Sequence, residues 1–133
     1  MVQTAHADRF AELIGAANVL TTPADQEPYL TEWRDLYRGV TPIVLRPGTT
    51  EEVSAVMTYA YEHDLKVVPQ GGNTGLVGGQ IPQETGDEFV LSLARLTKVR
   101  EVDAAGFTMT MSAPWARSAS NSVTHSRFRR GSI

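Results

Sequence analysis

Val68-Pro69-Gln70-Gly71-Gly72-Asn73-Thr74-Gly75-Leu76-Val77-Gly78-Gly79 puts five glycines into a turn directly behind a short apolar run. Glycine tolerates φ > 0 and, lacking a Cβ, lets a second backbone or a ligand come close. Successive amide N–H groups in such a turn form a concave anion-binding nest. The stretch therefore reads as a phosphate cradle whose natural guest is a pyrophosphate. No Lys or Arg stands between Lys66 and Arg95, so a phosphate here would be neutralised by amide dipoles and not by side-chain cations. A nucleoside-triphosphate loop needs G-x-x-x-x-G-K-[ST] and a Rossmann fingerprint needs G-x-G; neither spacing occurs. The structural alternative is a glycine-rich surface turn joining two strands.

The flanking periodicities supply the scaffold. Thr41 to Arg46 is an apolar run stopped by Pro47-Gly48 and reads as a strand. Thr49 and Glu52 have capping-box spacing, and Val53, Val56, Met57, Ala60 and Tyr61 are expected on one apolar face of a helix ending near His63-Asp64. Leu65 to Pro69 is the next strand. Segments 41–46 and 65–69 are expected to pair in parallel as a right-handed βαβ unit, with the glycine turn at the carboxyl end of the second strand, where ligands of open α/β sheets gather. Phe89 to Leu93 makes a third strand. Val99 to Asp103 and Phe107 to Met111 form an expected hairpin, with Phe107, Met109 and Met111 on a core-facing side. Upstream, Phe10, Leu13, Ile14 and Ala17 follow Asp8 at helical spacing, and Thr22 to Arg38 reads as an ordered, packed connection.

In order and place, P-Q-G-G-N-T-G-L-V-G-G resembles the phosphate loop of FAD-linked oxidases with a vanillyl-alcohol-oxidase-type (PCMH-type) flavin domain. The D-2-hydroxyglutarate and D-lactate dehydrogenase branch is most similar. Tyr29-Leu30-Thr31-Glu32-Trp33-Arg34, Arg38-Gly39 and Val44-Leu45-Arg46-Pro47-Gly48-Thr49-Thr50-Glu51-Glu52-Val53 are similar to the family at corresponding places, so the resemblance spans about residues 10 to 111. It implies an α+β fold with a βαβ start, the N-terminal subdomain of the flavin domain. It also implies FAD as cofactor, with a 2-hydroxy acid as substrate in full-length relatives. By the same resemblance Gly71, Gly72, Asn73, Thr74 and Gly75 would donate hydrogen bonds to the pyrophosphate. Leu76 and Val77 would pack on the flavin or ribityl side, Gly78 and Gly79 would let the chain pass closely, and Pro69 and Gln70 would hold the start of the loop. Ser92 and Leu93 would lie near the dinucleotide.

Other candidate residues read more simply as structure. His63 falls at a helix C-terminus, where an imidazole meets the dipole, and Glu51-Glu52 fall in a first turn, where acids offset it. Trp33 and Arg34 could line a flavin edge, but Trp33 is expected first as a packing anchor. No catalytic residue and no metal ligand is assigned. With no cysteine, disulfides, thiolate nucleophiles and cysteine-based metal sites are excluded. A formal charge of −3 gives no reason to expect nucleic acid, and no apolar run approaches a membrane span. Without a secretory h-region near the start, a cytoplasmic location is the default expectation.

The 133 residues are expected to organise as a helix and packed connection over 1–37, the start of the flavin domain over 38–111, and an off-pattern tail over 112–133. All 15 acids lie at or before Asp103, whereas the tail carries Arg117, Arg127, Arg129 and Arg130, six serines and no leucine, a composition that favours disorder. Family members continue through an A-G-x-x-L stretch, a second glycine-rich segment and a substrate domain, none of which matches here. The tail looks like a shifted reading frame or sequence past a truncation, with a genuine divergent tail as the alternative. The functional expectation is an FAD-binding N-terminal piece of a 2-hydroxy-acid dehydrogenase, inactive alone. The competing expectation is a non-catalytic module whose open sheet is completed by a separately encoded partner chain.

Overall fold

The computed structural model describes residues 2–112. Its elements in chain order are helix α1 (Val2–Ile14), a 3₁₀ turn (Ala16–Asn18), strand β1 (Val19–Leu20), helix α2 (Pro23–Leu30), strand β2 (Val44–Leu45), helix α3 (Thr50–Glu62), and strands β3 (Lys66–Gln70), β4 (Glu88–Ser92), β5 (Val99–Asp103) and β6 (Thr108–Met111). The expectation of a disordered tail concerns residues beyond Ser112, outside those described.

Four strands form one sheet in the order β1-β2-β4-β3, with β1 antiparallel to β2 and the other neighbours parallel. The α+β class with a strand–helix–strand start therefore holds, but the expected direct pairing of 41–46 with 65–69 does not. Strand β4 lies between them, pairing Val44 with Val90 on one side and Val68 with Val90 on the other. The chemistry of the strands explains the order. Phe89, Val90 and Leu91 are buried in succession, as in a strand covered on both faces. Pro69 cannot donate to a second ladder and Lys66 is exposed, so β3 belongs at an edge.

One core lies between the sheet and two helices, built from Phe10 and Ile14 of α1, Val56 of α3, and Ile43, Leu45, Phe89 and Leu91 of the sheet region. Helix α3 starts as its sequence dictates: the Thr49 side chain accepts from the Glu52 amide at 3.1 Å, and Glu52 Oε2 accepts from the Gly48 amide at 2.6 Å. Its buried face is narrower than expected. Val56 and Ala60 are buried and Val53 half-buried, but Met57 and Tyr61 are exposed. Tyr59 takes the contact with α1 instead, its ring 5.1 Å from Phe10.

Three further expectations are corrected. Helix α1 begins well before Asp8, which is therefore no cap, and Ala17 lies exposed in the 3₁₀ turn. The connection over 22–38 contains helix α2, capped by Thr22 with Pro23 in its first turn, a Thr-Pro start that the sequence displays. The hairpin forms as a separate two-stranded sheet, but β5 is exposed throughout, and Phe107 and Met109 are exposed where a core face was expected. Met111 alone of the three expected core-facing residues is half-buried.

Candidate functional site

The parallel strands deliver their carboxyl ends to one edge, and the glycine loop leaves β3 there. Gln70 is the hinge. Its side chain is buried, and Nε2 donates to the carbonyls of Tyr29 at 2.9 Å and Gln80 at 3.0 Å, closing the loop's two ends on each other and on α2. The Gln70 carbonyl accepts from the Leu93 amide at 2.9 Å, which ties the loop to the end of β4. Ser92 is buried beside it.

Inside the loop, acceptors and donors are treated differently. Gln80 Nε2 donates to the Gly75 carbonyl at 2.9 Å and to Asn73 Oδ1 at 3.3 Å. Arg34 Nη2 donates to the Leu76 carbonyl at 2.5 Å, and the Gly78 carbonyl accepts from Ile81. The backbone amides from Gly71 through Val77, by contrast, make no hydrogen bond to protein among the described residues. A trans peptide points its C=O and N–H in opposite directions, so a carbonyl pinned inward turns the next amide outward. The held carbonyls of Gln70, Gly75 and Leu76 thus turn the Gly71, Leu76 and Val77 amides away from their donors, at the two ends of a run of amides free of protein partners.

The glycines do not all act as expected. The left-handed residue inside the nest is Asn73, at φ 55°, while Gly78 is the loop's one positive-φ glycine. Gly71 and Gly79 serve as open space: a Cβ on either would meet nothing within 4 Å. Gly78 serves as a close approach, since a Cβ there would stand 2.9 Å from the Tyr37 ring. Pro69, Thr74, Leu76 and Val77 are exposed, and Gly72 is half-buried. The Asn73 carboxamide faces the protein, with Nδ2 donating to the Thr31 carbonyl at 3.0 Å, so it braces the loop and leaves only its amide to a ligand. A hollow of about 510 Å³ opens beside the loop, with Tyr37, Val77, Gly78 and Gly79 on its wall.

Sequence reading missed the segment that holds the loop. Tyr29 and Thr31 contribute carbonyls, Tyr37 a ring and Arg34 a guanidinium, all roughly forty residues upstream in the chain. Trp33 is 76% exposed and anchors no packing, contrary to expectation. The pivot is Glu32, whose side chain has no exposed surface and whose two oxygens accept from the Arg34 and Leu36 amides at 2.8 Å each. Burial pushes the Glu32 carboxyl up, but those amides and the Arg34 charge outweigh it, and the group sits below its ordinary value. The ionised form is favoured in the fold, so this contribution is complete above the ordinary glutamate pKa and is lost as pH falls through the folded one. Thermal midpoints between about pH 6 and pH 3 should fall more steeply for the parent chain than for Glu32→Gln. Parallel curves would contradict this.

Comparison with known proteins bears on the loop directly. The FAD binding domain family matches residues 41–114, more than half of the chain and all of the glycine loop. This chain belongs to that family. The family's cofactor is FAD, and its D-2-hydroxyglutarate branch is represented by the D-2-hydroxyglutarate dehydrogenase of Bos taurus, mitochondrial by name, which is 42% identical over 88 residues, 66% of this chain and 16% of the relative. The D-2-hydroxyglutarate–pyruvate transhydrogenase of Saccharomyces cerevisiae is 38% identical over 106 residues, 78% of this chain and 21% of the relative. The chain spans 16% to 21% of the length of such curated relatives. Among solved structures, a 4-ethylphenol oxidase from Gulosibacter chungangensis has a TM-score of 0.62 at 28% identity, over 77% of this chain and 20% of that one. An alkyldihydroxyacetonephosphate synthase, at 17% identity, shares the fold with a TM-score of 0.65 over 75% of this chain and 20% of its own.

These relatives overturn the cytoplasmic default, since the bovine, rat and Arabidopsis thaliana family members are all named as mitochondrial. Lacking a secretory h-region is no argument against import into mitochondria, whose transit peptides are amphipathic and Arg-rich instead. No described helix is long and apolar enough to cross a membrane, and the described residues hold no cluster of three or more His, Cys, Asp or Glu suited to a metal ion.

Proposed function

We propose that the glycine loop binds the pyrophosphate of FAD through the backbone amides of Gly71, Gly72, Asn73, Thr74, Gly75, Leu76 and Val77. The observation that carries this reading is the run of seven consecutive amides without a protein acceptor, in a loop whose Gln70, Gly75, Leu76 and Gly78 carbonyls are held by protein donors. Gly71, Gly72 and Asn73 are half-buried, where amides ordinarily find partners, and consecutive amides left without them can form an anion nest. Gly71 and Gly79 leave the approach open, Gly78 lets the chain pass under Tyr37, Pro69 and Gln70 hold the loop to the sheet, and the exposed Leu76 and Val77 offer apolar contact to the ribityl or flavin part. When bound, FAD supplies the redox chemistry; the residues of this chain supply binding and orientation.

Within this reading residues 38–111 are the N-terminal part of the FAD-binding domain, 1–37 brace it, and 112–133 differ from both in composition. The reaction served is oxidation of a 2-hydroxy acid, and these 133 residues, matching 16% to 21% of the length of the curated relatives, turn none over alone. The exposed edge of β3 and the doubly exposed hairpin favour, as a second reading, completion of the sheet by another polypeptide.

Flavin fluorescence titration separates the pyrophosphate reading from a nonspecific one. FAD and ADP should compete for the chain, while riboflavin, which lacks the pyrophosphate, should not. Equal competition by riboflavin would remove the loop from the site.

A further inference from the structure

The sequence supplies no cation within the glycine loop, yet the fold brings one to it. Arg34 reaches across 42 positions to place Nη2 at 2.5 Å from the Leu76 carbonyl. Its other end is equally fixed. The Arg34 amide donates to Glu32 Oε2 at 2.8 Å, its Nε lies 4.0 Å from the same oxygen, and the following residue, Asp35, turns the chain through the left-handed region at φ 57°. Because the Glu32 side chain is wholly buried, this turn is anchored in the body of the protein. The outer limb of the loop has little else to hold it: Leu76 is 53% and Val77 86% exposed.

We propose that Arg34 is the positioning residue of the glycine loop, holding the Leu76–Val77 peptide with its carbonyl inward and the Val77 amide toward the anion; this rests on the loop being the FAD pyrophosphate site. Without the guanidinium the Leu76 carbonyl loses its donor, and this exposed peptide is free to flip. A flip would replace an N–H facing the phosphate with a C=O, turning attraction into repulsion at the end of the nest. The guanidinium charge adds to the field of the amides from behind the loop, where it needs no contact with the ligand.

The test uses the full chain with Arg34→Gln and Arg34→Lys, measuring FAD affinity, thermal midpoint, and ¹⁵N relaxation of the Leu76 and Val77 amides without ligand. Arg34→Gln should weaken FAD binding roughly ten-fold, the loss expected for one charge-assisted hydrogen bond. It should also raise the mobility of the Val77 amide, with the midpoint lowered by no more than ~2 °C through loss of the Arg34 charge beside Glu32. Arg34→Lys keeps a charged donor and should recover most of both effects. Unchanged Val77 relaxation in Arg34→Gln would overturn the proposal whether or not FAD binds. Affinity equal to the parent in Arg34→Gln, with binding abolished by a loop substitution, would overturn it while leaving the FAD reading intact. A parent chain that binds no FAD would count against the FAD reading, and the relaxation comparison would still decide the role of Arg34.

Discussion

Gly39→Ala is expected to cost the chain about 3 kcal/mol or more, a large fraction of the roughly 5–15 kcal/mol that holds a domain of ordinary stability folded. An ideal Cβ at Gly39 would stand 1.7 Å from the Pro82 carbonyl oxygen and 2.7 Å from its carbon. These are backbone atoms and cannot swing aside as a side-chain end would. Gly39 is where two segments cross: its amide donates to the Leu30 carbonyl at 2.9 Å, and the next amide, that of Val40, donates to Gln83 at 3.2 Å. The crossing joins the Arg34-bearing segment to the exit of the glycine loop, so its loss should also disorder the loop. Thermal denaturation by circular dichroism checks the stability, and a midpoint within a few degrees of the parent would mean that the crossing is looser than the geometry states.

Gly71→Val should have the opposite profile, leaving the fold alone and removing the ligand. Gly71 is not in the left-handed region, and a Cβ there meets no protein atom within 4 Å, so the branched side chain enters open space without strain. That space is the approach to the unpaired amides. Filling it should weaken FAD binding roughly a hundred-fold, about 2.7 kcal/mol, with the thermal midpoint shifted by no more than ~2 °C. Equilibrium titration with FAD alongside thermal melts separates the two effects; undiminished affinity would place the pyrophosphate elsewhere.

What the sequence could and could not reveal follows from the range of the interactions. The cap of α3, the loop's position after β3 and the hairpin are local, set by Thr49 and Glu52, by five glycines behind an apolar run, and by alternation around Gly106, and they are legible in the order of residues. Strand order is not local. The rule that a proline-bearing strand sits at an edge was available in Pro69, but adjacency in sequence suggested a pairing that β4 displaces. The glycines marked the loop without indicating how each is used. The left-handed position falls to Asn73, and at Gly71 and Gly79 a Cβ would meet no protein atom within 4 Å. The brace through Glu32, Arg34 and Tyr37 depends on contacts about forty residues apart, which no window along the chain contains.

The most direct test of the central claim is a ¹H–¹⁵N titration of the chain with FAD, with riboflavin as the control lacking phosphate. If the loop's unpaired amides hold the pyrophosphate, the largest shifts fall on Gly71 through Val77, riboflavin leaves these amides unmoved, and Gly71→Val abolishes the response. A second hollow, lined by Arg95, Lys98 and Arg100 beside the start of α3, provides the contrast. FAD-dependent shifts concentrated there, with Gly71 to Val77 silent, would contradict the account.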